Sequence, residues 1–481
     1  MNENVGALLP ELSLLIGSAV TLLVGIFSPQ RRQWTARLVA VVALLVCLAT
    51  GLVALTGPGQ LIFSETWAVD GPLGGARVIV AAAGLLTIAL SIDSVGGSAR
   101  ETEFYTLLLL ASLGSLVLAG SSDLLVLAVG YLLTSVPLYA LVGLARDPSG
   151  AEAALKTYLL GALLGVVMLL GVTVLFGIGG ATTYRELNAS LGDAPRAALA
   201  FGLVALLAGL LFKAGGVPAH FWIPDAVEGA GIGAAAFATT IPKVGALIAT
   251  YRVLTVLPES VVDWPLLVGL LAALSMTLGN LAAFGQTSVR RLLGYSTISQ
   301  VGYLLMAVAV AGRDPLAARA LVFYLAAYAV TNLAAFAVVA ELPRARALRD
   351  YQGLARRRPL LAGALVISLL GLVGTPPAAV FVGKVSVFTA AWGGGLAWLS
   401  VVAAVNTVAS LFYYLRWLAP VFSVGVGSPD SAGDPGVDPA PLQAAAGTWG
   451  RVAALSGAAA SVVLGLAAGP AIALLDAPLL R

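Results

Sequence analysis

Four lysines, Lys156, Lys213, Lys243 and Lys384, are all that the chain has, and each lies within or at the edge of a long apolar segment; the 22 arginines fall mostly in the short polar breaks between segments. A charge at the centre of a bilayer costs roughly 2.5–3.5 kcal/mol on insertion scales, so four such residues point to an ion or proton pathway. Arginine keeps its proton at any physiological pH, whereas a desolvated lysine can exchange one. The residue type chosen is therefore a titratable cation.

The surroundings of these lysines differ. Lys213 follows about fifteen mainly apolar residues and immediately precedes Gly215, Gly216 and Pro218, which break the segment and supply free carbonyls and room for water. Lys384 follows a second break at Gly374, Pro376 and Pro377, and Lys243 follows Pro242 near the middle of its segment. Lys156 is four residues past Glu152, so a surface pair at i, i+4 competes with a buried role. His220, the single histidine, sits in the turn 217–225 and suits proton exchange between water and Lys213, although a plain hydrogen-bonding role is the alternative. Asp225 and Glu228 are positioned to tie down that turn, and Asp123 reads as a helix N-cap. Ser296, Thr297, Ser299 and Gln300, with Tyr324, Tyr328, Thr331 and Asn332, suit either a water chain or interhelical hydrogen bonding. Cys47 stands alone, which excludes an iron–sulfur cluster or a structural zinc held by thiolates, so no metal site is expected. No Gly-rich nucleotide fingerprint occurs in a strand-to-helix context, which excludes an autonomous NADH or ATP site.

The elements that must hold these residues are membrane helices. With 59% hydrophobic and 10% charged residues in 481 and a mean hydropathy of +0.98, the chain is not a soluble globular protein. Fourteen apolar stretches of spanning length recur, at about 5–27, 36–56, 74–92, 104–120, 124–145, 155–178, 197–216, 231–256, 264–285, 292–312, 316–340, 360–390, 396–422 and 451–475. Glu3 and Glu11 near the start of the first argue for a retained helix rather than a cleaved signal. Fifteen of the 22 arginines, Arg146 among them, lie in odd-numbered breaks, and seven, including Arg77, Arg252 and Arg481, in even breaks or the C-terminus. The positive-inside rule then makes the odd breaks cytoplasmic and puts both termini outside. The matched breaks in segments 7 and 12 predict inverted repeats. The expected division is 1–99 for helices 1–3, 100–256 and 262–422 for two five-helix repeats, and 423–481 for a polar loop at 427–450 and the last helix.

Four stretches carry a resemblance: VGYLLTSVPLYALVG at 129–143, FKAGGVPAHFWIPD at 212–225, NLAAFGQTSVRRLLGYSTISQVGY at 280–303 and GTPPAAVFVGK at 374–384. They resemble the antiporter-like membrane subunits of respiratory complex I, a bacterial NADH-quinone oxidoreductase, and are nearest to its subunit N branch. The resemblance runs from Glu11 to about Arg416. It implies an all-α membrane fold of about fourteen transmembrane helices, with two inverted five-helix repeats and broken helices 7 and 12. It also implies that Lys156, Lys213, Lys243 and Lys384 match the family lysines of helices 6, 7, 8 and 12, with His220 matching the histidine after helix 7. Proton transfer along them would be driven by quinone reduction elsewhere in the complex. FMN, iron–sulfur clusters and quinone belong to partner subunits in such an assembly, the other membrane-arm subunits and the bilayer are the contacts, and no nucleic acid is involved. The bacterial inner membrane is the expected location. Where the family has a helix 5 glutamate paired with the helix 7 lysine, this chain has Leu132; Arg290 replaces a usual lysine, and Gln300 a frequent histidine. The departures leave two other readings, a cation/proton antiporter or hydrogenase-linked pump subunit, and a structural membrane-arm paralogue with impaired pumping.

Overall fold

The apolar runs leave backbone groups no water to bond, so each folds as a helix that satisfies them internally. The computed structural model describes residues 4–145, 147–423, 447–475 and 479–480. Among them, thirteen helices are long and apolar enough to cross a membrane: Val5–Phe27, Gln30–Ala54, Gly71–Val95, Glu101–Gly120, Leu124–Val142, Pro148–Gly179, Arg196–Ala214, Ile232–Leu254, Trp264–Phe284, Val289–Ala309, Ala317–Glu341, Ala397–Phe422 and Trp449–Leu466. The shorter apolar helices Pro359–Val373 and Ala379–Gly393 follow one another across residues 374–378 and are numbered together as helix 12, so that helices 1–14 run in chain order. The protein is an all-α membrane protein. Its described sheet is one small hairpin, Gln60–Ile62 against Trp67–Val69, between helices 2 and 3.

Starts are set by local chemistry. Asp70, Asp123, Asp147, Asp263 and Ser288 each accept a backbone N–H at the first turn of helices 3, 5, 6, 9 and 10. Asp123 is thus an N-cap, taking Leu125 and Val126 N–H at 2.7 and 3.0 Å. Helix 6 begins at Pro148 rather than about 155, because Asp147 caps a polar first turn that hydropathy undercounts. Helix 14 ends at Leu466 and a short helix, Ala468–Ala473, follows, in place of one segment to 475. Arg146, Arg481, Glu3 and most of the 427–450 loop lie outside the described residues.

Helix 7 stops at Ala214 and resumes as Trp222–Gly229; helix 12 stops at Val373 and resumes at Ala379. Each first half ends on a left-handed glycine, Gly215 at φ 81° and Gly374 at φ 94°, whose N–H closes onto Leu211 or Leu370. Pro218 and Pro377 follow in cis peptide bonds. A third break was not expected. Helix 8, read as continuous from 231 to 256, is two pieces, Ile232–Ala238 and Ile241–Leu254, because Pro242 cannot donate into a continuous ladder and Thr239 and Thr240 fall at the joint.

The two halves share local architecture. Leu124 N–H bonds Thr182 O and Tyr184 N–H bonds Ser122 O, while Val289 N–H bonds Arg346 O and Leu348 N–H bonds Thr287 O. The same two-rung ladder therefore joins the start of helix 5 to the chain after helix 6, and the start of helix 10 to the chain after helix 11.

Helices 8, 10 and 11 are enclosed on nearly all sides, whereas helices 1, 2, 6 and 14 bury only one face. Polar side chains on the enclosed helices have to be satisfied by protein or bound water. Arg77 and Arg252, assigned to even breaks from the sequence, are instead buried in helices 3 and 8. Arg77 grips Glu11 with two bonds of 2.8 Å, and Arg252 grips Asp70 with bonds of 2.7 and 3.0 Å. A guanidinium is tolerated at such depth when a carboxylate takes its fork.

Candidate functional site

Lys213 lies in the last turn of the first half of helix 7 and is fully buried. Its Nζ donates to Ser135 Oγ of helix 5 at 2.6 Å, and Ser135 in turn donates to Tyr131 O at 2.5 Å. The rings of Tyr131, Tyr139 and Phe212 surround the ammonium at 5.0, 5.7 and 5.8 Å.

The breaks expose carbonyls, and the other two buried lysines use them. Lys243 of helix 8 donates to Ala214 O at 2.9 Å, the last carbonyl before Gly215, with the Trp222 ring at 6.0 Å. Lys384, in the second half of helix 12, donates to Val373 O at 2.8 Å, the last carbonyl before Gly374. It also reaches Thr407 Oγ1 at 3.3 Å and lies 3.9 Å over the Tyr303 ring. Both ammonium groups therefore cap the C-terminal, partially negative end of a half-helix. None of the ion pairs among the described residues includes Lys213, Lys243 or Lys384.

Hydroxyls and amides of helices 8, 10 and 11 form two hydrogen-bonded groups, one at the helix 8 joint and one beside the helix 12 break. At the helix 8 joint, Asn332 Nδ2 donates to Thr239 and Thr240 Oγ1 at 3.1 and 3.0 Å, and Tyr328 OH to Thr239 O at 2.8 Å. Tyr328 OH also bonds Thr297 Oγ1 at 3.0 Å. One turn along helix 10, Gln300 accepts from Tyr324 OH at 2.6 Å and donates to Leu372 O at 2.8 Å, beside the carbonyl that holds Lys384. Asn332 Oδ1 is buried at the helix 8 joint with no hydrogen-bond partner, which makes it a natural seat for bound water. The polar groups of helices 10 and 11 thus combine interhelical bonding with water-binding capacity.

Lys156 does not join these groups. Its side chain is 46% exposed, and it pairs with Glu152 at 2.7 Å and Asp225 at 3.0 Å. Asp225 also meets Arg291 at 3.2 Å, while Glu228 accepts from Ser288 at 2.7 Å, so these acids tie the turn after the helix 7 break to helices 6 and 10. His220 is half-buried against Phe221, with Nδ1 buried and unpaired, and none of the described hydrogen bonds links it to Lys213. The residues that the sequence reading missed are Tyr131, Ser135, Tyr139, Tyr303 and Thr407. The four-residue spacing of the first three was the available signal.

A family model described as NADH:quinone oxidoreductase/Mrp antiporter, transmembrane, matches residues 121–410. NADH-quinone oxidoreductase subunit N of Mycobacterium sp. (strain JLS) is 51% identical over 460 residues, 96% of each chain. Subunit N 1 of Streptomyces griseus subsp. griseus is 52% identical over 470 residues, 98% of this chain and 97% of the relative. The chain belongs to the NADH:quinone oxidoreductase/Mrp antiporter membrane family. A chain of respiratory complex I from Thermus thermophilus superposes with a TM-score of 0.81 at 31% identity, covering 98% of this chain and 100% of that one. The Mrp complex of Dietzia sp. gives 0.85 at 22% identity, a likeness of fold alone. Within this membrane family, the departure at Leu132 now has a geometry. Leu132 is 48% exposed on the outer side of helix 5, and the positions that meet Lys213 are Tyr131, Ser135 and Tyr139.

Proposed function

We propose that this chain is a proton-translocating subunit N of the membrane arm of an NADH-quinone oxidoreductase and carries protons along Lys213, Lys243 and Lys384. The observation that carries the reading is that three fully enclosed ammonium groups sit at helix breaks, two of them on the very carbonyls the breaks release, with two groups of hydroxyls and amides between. A lysine at a static structural site would have no need of three discontinuous helices around it. The breaks provide hinges and oxygen ligands, while these groups support proton hopping through hydroxyls and bound water. Lys156, Asp225 and Arg291 form the charged mouth near the helix 7 break, and His220 relays protons between that mouth and Lys213. Quinone reduction, with FMN and iron–sulfur clusters, takes place in partner subunits, and this chain supplies no redox centre.

The repeats are 100–256 and 262–422, preceded by helices 1–3 and followed by the loop and helix 14. Their inversion follows from counting, since five crossings in one repeat leave the next to start on the opposite face. The shared ladders and the paired glycine–proline breaks support this division. The chain resides in the bacterial cell membrane with both termini outside, and its contacts are neighbouring membrane-arm subunits and lipid. Identity of 51–52% to subunit N relatives over nearly the whole of both chains favours this assembly, whereas the likeness to the solved Mrp complex is one of fold. The test is proton pumping by the assembled complex in vesicles: Lys213→Ala and Lys384→Ala should each lower the protons moved per NADH oxidised. Unchanged stoichiometry in both would favour a structural role.

A further inference from the structure

We propose that Tyr131, Ser135 and Tyr139 form an aromatic cage that does for Lys213 what a paired carboxylate would do, holding its ammonium in place while leaving it free to give up a proton. The inference rests on the proton-pathway reading above and adds positioning residues to it. The three residues recur every fourth position on helix 5, so they line one stripe, with the hydroxyl in the middle bonded to Nζ at 2.6 Å and a ring on each side at 5.0 and 5.7 Å. Both rings lie within the 6 Å or so at which a π face attracts a cation, and the attraction is greatest where water is excluded. The rings are seated by design on the neighbouring helix. A Cβ at Gly161 would lie 1.9 Å from Tyr139 Oη and one at Gly165 would lie 2.9 Å from Tyr131 Cε1, while Tyr131 OH donates to Gly161 O at 3.0 Å. Helix 6 thus offers two glycine notches, one per ring.

The pattern recurs along the row. Lys384 lies 3.9 Å over Tyr303 and Lys243 6.0 Å from Trp222, each with a carbonyl oxygen as its other partner. A carboxylate beside each amine would hold the charge as an ion pair at every station. A ring and a neutral oxygen attract the ammonium more weakly, so the charge passes on with less to break.

The experiment uses the assembled complex in proteoliposomes and reads protons pumped per NADH, with assembly checked on native gels. Tyr131→Phe and Tyr139→Phe keep the π face and should pump near the wild-type level, whereas Tyr131→Leu and Tyr139→Leu should lower the protons pumped per NADH, since one ring's attraction is worth roughly 2- to 30-fold in the equilibrium that holds the ammonium. Should the leucine variants fail to assemble, increasingly fluorinated phenylalanines at 131 weaken the ring quadrupole without changing its shape, and coupling should fall step by step with fluorination. Equal pumping by the Phe and Leu variants, or indifference to fluorination, overturns the cage. Lys213→Ala in the same assay separates the two ideas: if it pumps normally the pathway reading itself falls, whereas a Lys213 requirement with insensitive rings removes only the cage.

Discussion

Gly215→Ala probes the helix 7 break where backbone, packing and chemistry meet. Gly215 sits at φ 81°, and a Cβ added there would lie 1.9 Å from Ile223 Cδ1 and 3.1 Å from Lys243 Nζ. An L-residue in the left-handed region costs about 1–2 kcal/mol, and forcing a methyl into a packed site adds about 1–3 kcal/mol, so the variant should be destabilised by about 2–5 kcal/mol. The overlap with Ile223 can be relieved separately. Ile223→Val alone should cost about 0.5–1.5 kcal/mol, yet it removes the clashing atom, so the double variant should be more stable than the sum of the singles by about 1–2 kcal/mol. Unfolding of the purified subunit in a graded detergent-to-SDS titration measures both terms. The same substitution pushes Lys243 away from Ala214 O, so proton pumping by the assembled complex should fall even when the double variant is properly assembled. A Gly215→Ala protein as stable as wild type, or strictly additive singles, would mean that neither the left-handed backbone nor the Ile223 contact constrains this break.

Asp70→Asn should destabilise the subunit by about 3–5 kcal/mol, because Arg252 would be left buried without its carboxylate; adding Arg252→Met should recover much of the loss, which denaturation of the purified chain would show. Gln300→Leu should orphan Tyr324 OH and Leu372 O at about 1–3 kcal/mol each and, by removing the polar link beside the helix 12 break, lower pumping while NADH oxidation continues; intact coupling would count against a proton route through this link. Leu132→Glu adds a carboxylate about 60° around helix 5 from the centre of the Lys213-facing stripe, from a turn of about 100° per residue; it should slow pumping by pairing with Lys213, and unaltered pumping would mean that the new side chain stays on the outer face.

Much of this architecture is written in hydropathy and in glycine and proline. The thirteen helices of spanning length among the described residues and the breaks of helices 7 and 12 were legible because a long apolar run has few ways to fold in lipid, and Gly215 and Gly374 can adopt backbone that other residues resist. Lys213, Lys243 and Lys384 were legible as buried for the same reason. The break in helix 8 was hidden because Pro242 is accommodated at the second position of a new helix, so the apolar pattern runs on unbroken past Thr239. Lys156 carried two readings in the sequence, and the surface pair with Glu152 is present, joined by Asp225, on a helix that starts about two turns earlier than hydropathy suggests. The partners of the lysines were harder to read, the four-residue spacing of Tyr131, Ser135 and Tyr139 being the one local signal. Ser135, Tyr303 and Thr407 meet them only across helix interfaces, and attention to position 132 missed the stripe beside it. The pairs Glu11–Arg77 and Asp70–Arg252 are likewise products of tertiary packing that no local spacing announces.

Proton carriage by this chain requires its enclosed lysines to change their charge as the complex turns over. Infrared difference spectra of the assembled complex, with [15N]lysine confined to this subunit, test it directly because the chain has only four lysines. NADH addition should produce isotope-sensitive ammonium bands that appear or vanish during turnover and that diminish in Lys213→Met and again in Lys384→Met. A turnover spectrum with no isotope-sensitive lysine band, in a complex that pumps normally, would contradict the account.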